Sequence, residues 1–180
     1  LNSFFRQLHI EKDDSPGHYR VVNRDFRGES GRDPKEAEVY FERLDGKLQA
    51  AYPVFHGEQV VSPSGLVSEV DRRRELAGLV ARSGDLDRSA VNRLWKHFLG
   101  HAFTSTVDDM GPHSSPSHPD LLNTLASQFE AHGHDLKALM RWIAGSEAFG
   151  LSSRELPNSL ADRPDAGSVP LFSRYYTRQL

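Results

Sequence analysis

The chain has 180 residues, with 22 Lys+Arg against 25 Asp+Glu, a net charge of −3, 37% hydrophobic residues and no cysteine. This is enough apolar material for a core in a chain of single-domain size. No apolar run approaches the ~20 residues that cross a bilayer, so no membrane span is expected. Both signs of charge are mixed along the chain without the cationic stripe that phosphate backbones require, so nucleic acid is not an expected partner. The lack of cysteine excludes disulfides, thiolate zinc sites, iron–sulfur clusters and covalently attached c-type haem within these residues. The chain opens Leu-Asn-Ser-Phe-Phe and stops at Arg178-Gln179-Leu180 with no helix-ending signal, which reads as a fragment of something longer.

The first part, residues 1–68, reads as β-strand and loop. Leu1–Leu8 resembles the last turns of a helix, and Asp13-Asp14-Ser15-Pro16-Gly17 is a turn by composition. Tyr19–Val22 and Val39–Leu44 are rich in β-branched and aromatic residues. Asp45-Gly46 between Leu44 and Lys47 predicts a two-residue type I′ hairpin turn. Arg27–Pro34 has too few apolar residues to bury and is expected as an exposed loop. Ser62-Pro63-Ser64-Gly65 marks a break, and an internal boundary is placed just after it.

From residue 69 the apolar spacing turns helical. Asp71–Ala81 puts Leu76, Leu79 and Val80 on one face. With Asp87 as N-cap, the next helix carries Val91, Leu94, Trp95, Phe98 and Ala102 on its stripe. Residues 104–116 form a polar loop. Ser117-His118-Pro119-Asp120 then starts a helix burying Leu121, Leu122, Leu125, Ala126 and Phe129 and ending at His132-Gly133. Asp135 caps a fourth helix burying Leu136, Leu139, Met140, Ile143 and Ala144, with Gly150 as its stop. The fold class expected is α+β, mainly α: a bundle of about four helices over 69–155, preceded by a loop-rich segment with a β-hairpin. Pro157–Pro170 reads as a linker, and Leu171–Leu180 as the opening of a further helix.

No catalytic residue is assigned. His97 and His101, four apart, would project from neighbouring helical turns, but two ligands are not a metal site and Phe98 stands where a related zinc motif has glutamate. No metal is therefore expected, these two being the candidates. Asp108 and Asp109 are adjacent, which aims their carboxylates apart; turn N–H groups at Met110-Gly111, or Arg93, are their expected partners. The serines of 114–117 lack a nucleophile elbow. Arg72-Arg73-Arg74, beside Glu69, Asp71 and Glu75, reads as a solvated, self-paired face. Trp95 and Trp142 are expected core anchors, whereas Tyr19, Tyr40 and Phe41 lie on strands with one face open. Asn92, Arg93, His97, Asp108, Asp109 and His118 form the candidate polar cluster.

Taken together, Arg88–Gly100, Val107–Gly111, Pro116–Leu122 and Asp135–Ser146 closely resemble the C-terminal domain of unknown function of planctomycete-type multidomain proteins, the one that accompanies planctomycete cytochrome c modules. The likeness spans about 69–155, with Arg72–Leu76 resembling its lead-in, Leu171–Arg178 its next helical block and Leu1–Phe5 the tail of the preceding companion domain. Asn92, Arg93, Trp95, His97, Asp108, Asp109, Pro116 and Pro119 match the family pattern. His101 departs from it, standing where the family typically has Arg, which counts against a two-histidine metal site. The resemblance implies an exported parent at the periplasm or cell surface, haem elsewhere in that parent and no cofactor in this fragment. The expected partners are other domains of the parent chain. A non-catalytic structural or interaction role follows, the alternatives being a hydrolase, or a carbohydrate-binding module using exposed hairpin aromatics, acting on surface polysaccharide.

Overall fold

The computed structural model describes residues 1–177 apart from 30, 32 and 60. The chain forms two compact units, Leu1–Arg82 and Ser83–Leu180. The fold is α+β, mainly α.

In the first unit, a 3-10 turn at Asn2–Phe5 is followed by β1 (Leu8–Lys12) and β2 (Tyr19–Asn23), then a 3-10 turn at Pro34–Glu36. β3 (Val39–Glu42), β4 (Leu48–Ala51), β5 (Val54–Phe55), β6 (Glu58–Gln59) and α1 (Arg72–Arg82) complete it. Among the described residues the strands pair within three antiparallel two-stranded ladders. Leu1–Leu8, expected as the last turns of a helix, holds one 3-10 turn at Asn2–Phe5, and Leu8 already belongs to β1. The β3–β4 hairpin forms with Glu42 opposite Leu48. Its loop is longer than the expected type I′ turn: Arg43 N–H donates to Lys47 O at 2.9 Å, and Gly46, at φ 77°, supplies the positive angle. Asp45 is not among the residues of positive φ, so Leu44-Asp45-Gly46 is the three-residue loop in which only the last position is left-handed. Of Arg27–Pro34, residues 30 and 32 lie outside the described residues.

Two-stranded ladders bury little by themselves, and the apolar core here is small: Phe4, Val61, Val70 and Leu76. Arg72 supplies what they lack. It is 0% exposed, contrary to the solvated face expected of Arg72-Arg73-Arg74. Its guanidinium donates to Ser64 O (3.0 Å), Ser3 O (2.9 Å), Ala37 O (3.1 Å) and Pro63 O (2.5 Å). One planar fork thereby joins three stretches distant in sequence, which a lysine's single ammonium cannot match. Gln7 works beside it. Its Nε2 donates to Gly65 O and Val70 O, and its Oε1 accepts from Arg72 N–H at 3.0 Å. Burial pushes the Arg72 pKa below the usual guanidinium range.

The Ser62–Gly65 break is consequently central to this unit. A Cβ on Gly65 would lie 1.6 Å from Phe26 O, so only glycine fits where the two backbones meet. α1, expected as the first helix of the bundle, turns Leu76 into this core with Phe4 and Val70. Replacing Arg72 by Met strands four carbonyls and is expected to destabilise the first unit by about 3–5 kcal/mol. The exposed Arg74→Met control should cost under about 0.5 kcal/mol, both read by urea unfolding followed by far-UV circular dichroism.

In the second unit, α2 (Asp85–Leu99), α3 (Pro119–Ala131), α4 (Leu136–Ala144) and the short α5 (Glu147–Gly150) pack together. Val91, Trp95 and Leu99 of α2 meet Leu122, Ala126 and Phe129 of α3 and Leu139 and Ile143 of α4. The stripes are narrower than the periodicity predicts: Leu121, Leu136 and Met140 are exposed, as is Ala144. α4 ends at Ala144, and Ser146 caps a separate α5, its hydroxyl accepting from Phe149 N–H. Asp135 does cap α4, accepting from Lys137 and Ala138 N–H. Asp87 does not cap α2. Gly84 holds that position, and Asp87 is buried in the first turn with His134 Nε2 2.9 Å away.

The remaining core comes from outside the helices. Phe103 stacks on Trp95 at 4.6 Å, and Phe172 meets Trp95 edge-on at 5.3 Å. Trp142 is half-buried against His132, their rings 5.0 Å apart. The segment read as the start of another helix has no helical turn through Thr177; residues 178–180 lie outside the described residues. Phe172, at φ 53°, and Tyr176 are buried in the core instead.

Candidate functional site

The candidate polar residues lie along the C-terminal half of α2 and the loop that follows it. Asn92 is fully buried. Its Nδ2 donates to Thr104 Oγ1 (2.8 Å) and Val107 O (3.1 Å), and its Oδ1 accepts from Phe103 N–H (2.8 Å). Thr104 passes its own proton to Thr106 O at 2.8 Å. Both donors of the amide and its oxygen are thereby engaged by irregular backbone or the hydroxyl beside it, which is what lets the loop turn back over α2.

The other five candidates occupy separate places. Arg93 pairs with Asp108 on the surface. Asp109 sits 3.0 Å from His113 Nε2 and accepts from Gly111 N–H at 3.3 Å. His118 places Nδ1 3.0 Å from Ser117 Oγ and its ring 5.5 Å from that of Phe172. His97 is exposed and lies edge-on to Phe98. α2 ends at Leu99 and Gly100 turns the chain at φ 88°. His101 is therefore not one helical turn above His97; its Nε2 lies 3.5 Å from Asp165 Oδ1 and its ring 4.9 Å from Tyr176. Among the described residues no group of three or more His, Cys, Asp or Glu side chains is placed to hold a metal ion.

A second bracket lay inside the presumed linker. Asp162 is fully buried. It accepts from Leu171 N–H (3.0 Å), Ser173 N–H (2.8 Å), Ser173 Oγ (2.7 Å) and Tyr176 Oη (2.5 Å). Tyr176 Oη in turn accepts from Phe172 N–H at 2.9 Å. Burial opposes the Asp162 charge, but the bonds from Tyr176, Leu171 and Ser173 outweigh it and hold the carboxyl below its ordinary range. Burial and the neighbouring carboxylate push the Tyr176 phenol up. Nothing in the local sequence flags Asp162, because its partners are 9–14 residues onward.

Anchored through Asp162, residues 164–170 form a strap, and between the strap and loop 101–117 lies a cleft of about 310 Å³. Lys96, His101, Ser105, Ser115, Val169 and Pro170 are among its walls. On the other side of Lys96, a shallower groove of about 300 Å³ carries Arg93 and His97. Of the sequence candidates, Arg93 and His97 share this groove; Lys96, which lines both the groove and the cleft, carried no sequence signal.

A mainly helical domain in which the buried Asn92 and Asp162 are engaged by the chain's own backbone is the class that fold and site define. The chain belongs to the family described as PSD1: Protein of unknown function (DUF1553), whose model matches residues 72–179, more than half of the sequence. No curated protein and no solved structure matches it.

Asp162 yields a pH prediction. Its carboxyl is depressed in the folded state, so its contribution is complete above the unfolded pKa of about 3.9 and is lost as pH falls through the folded value. Wild type should therefore lose stability below about pH 4 more steeply than Asp162→Asn, the two curves converging on acidification. Thermal melts across that range check this; parallel curves would contradict it.

Proposed function

We propose that this chain is a non-catalytic structural or interaction domain, a part of a larger exported protein of the planctomycete type linked to cytochrome c modules, acting at the periplasm or cell surface. The observation that carries this reading is the use made of polar side chains: Asn92 and Asp162 each spend their hydrogen-bonding capacity on holding irregular backbone. The acids and histidines at the surface are dispersed among separate partners. Among the described residues no helix is long and apolar enough to cross a membrane, and the partners on this reading are other domains of the parent chain. Haem, on this reading, belongs to a different part of the parent.

A carbohydrate-binding role is the second reading, favoured by the hairpin aromatics: Tyr19 is 67%, Tyr40 39% and Phe41 46% exposed. A hydrolase would use His97, Asp108, Asp109 or His118. Single alanine variants at these four positions, assayed on acidic and neutral polysaccharides by release of reducing ends, separate the non-catalytic readings from the hydrolase. The expected result is no release by the wild type and an unchanged melting temperature in the variants. Release that drops by ~10²-fold or more in a folded variant, the usual cost of losing a general acid or base, would establish the hydrolase instead.

A further inference from the structure

The cleft beneath the strap has a composition that the structural role does not use. Lys96 is exposed at the end of α2, lines the cleft and has no carboxylate within ion-pairing distance among the described residues. Beside it the hydroxyls of Ser105 and Ser115 line the same space with no hydrogen-bond partner among the described residues. Val169 and Pro170 make an apolar wall on the strap. The two sides are linked by His101, which faces Asp165 across 3.5 Å. The strap itself is fixed by Asp162 through Leu171 and Ser173, so the cleft is preformed.

We propose that this cleft is a binding site for a small, singly charged hydroxylated carboxylate the size of a hexuronate. The size follows from the volume of about 310 Å³, at the lower end of the ~300–1,000 Å³ of small-molecule pockets. The charge follows from Lys96. One ammonium favours a single anionic group, and no Lys or Arg besides Lys96 is among the described residues lining the cleft to meet a second negative charge. The unpartnered hydroxyls match the ligand's own hydroxyls, and the Val169–Pro170 wall packs against the face of a sugar ring. A free acid sugar and the end of an acidic polysaccharide share this chemistry.

The full chain is titrated by isothermal calorimetry with sodium glucuronate, glucose, inorganic phosphate and an oligouronate, alongside Lys96→Met and Ser115→Ala. Both replaced side chains are exposed, and unchanged melting temperatures verify folding. Glucuronate is expected to bind at least about tenfold more tightly than glucose or phosphate, and Lys96→Met to lose about tenfold, as for a charge-assisted hydrogen bond. Ser115→Ala should lose less. Tighter binding of the oligouronate assigns a polysaccharide end as the source, and equal binding assigns the free acid. Absence of glucuronate binding at millimolar concentration, equal binding of glucose or phosphate, or an unchanged affinity in Lys96→Met would each overturn the proposal.

Discussion

Buried backbone must have its N–H and C=O groups satisfied, and outside helices and ladders only side chains or water can do it. Much of this chain is irregular, yet parts of that irregular backbone lie in the interior. Arg72, Asn92 and Asp162 meet the demand with complementary chemistry. Arg72 supplies donors to four carbonyls, Asp162 accepts from two backbone N–H groups and two hydroxyls, and Asn92 does both at once. Each sits in or beside a rigid element or a turn and reaches segments that would otherwise be excluded from the core.

The aromatic packing depends on these brackets. Phe103 reaches Trp95 because its own N–H is held by Asn92, and Phe172 reaches the other side of Trp95 because residues 171 and 173 are held by Asp162. In the first unit Phe4 and Leu76 are brought together by the Arg72 bond to Ser3 O. Within each unit the polar and apolar parts of the interior therefore act together, so that losing a bracket also releases an apolar anchor.

What could be read from sequence follows from range. α2, α3 and α4 announce themselves by period, and α4 also by the Asp135 cap, which needs only the next three residues. The pairing of Arg93 with Asp108 was also legible, because a polar loop that follows a helix returns to that helix's own last turns. Arg72 was not legible. Its neighbours Asp71, Arg73, Arg74 and Glu75 give it the look of a solvated face, and its carbonyl partners include residues as far away as Ser3. Asp162 was hidden by the prolines and glycines around it, which give composition without contacts. Asp87 was misplaced because an acid near a helix start serves equally as a cap or as a buried partner, here of His134. The His97–His101 pairing failed for a local reason: Gly100 ends the helix between them.

The function proposed for the chain and the cleft proposed beneath the strap draw on different residues. The brackets are buried and bonded to the chain's own groups, whereas Lys96, Ser105 and Ser115 lie at the surface. The most direct measurement of the account is native-state hydrogen exchange by NMR at the amides of Phe103, Leu171 and Ser173. All three lie outside any helix or strand, and each donates to a bracketing side chain. The account predicts exchange as slow as the Trp95 amide in the middle of α2, through global opening alone. Exchange at the rate of an unstructured peptide would show that these segments merely rest on the helices, and would contradict it.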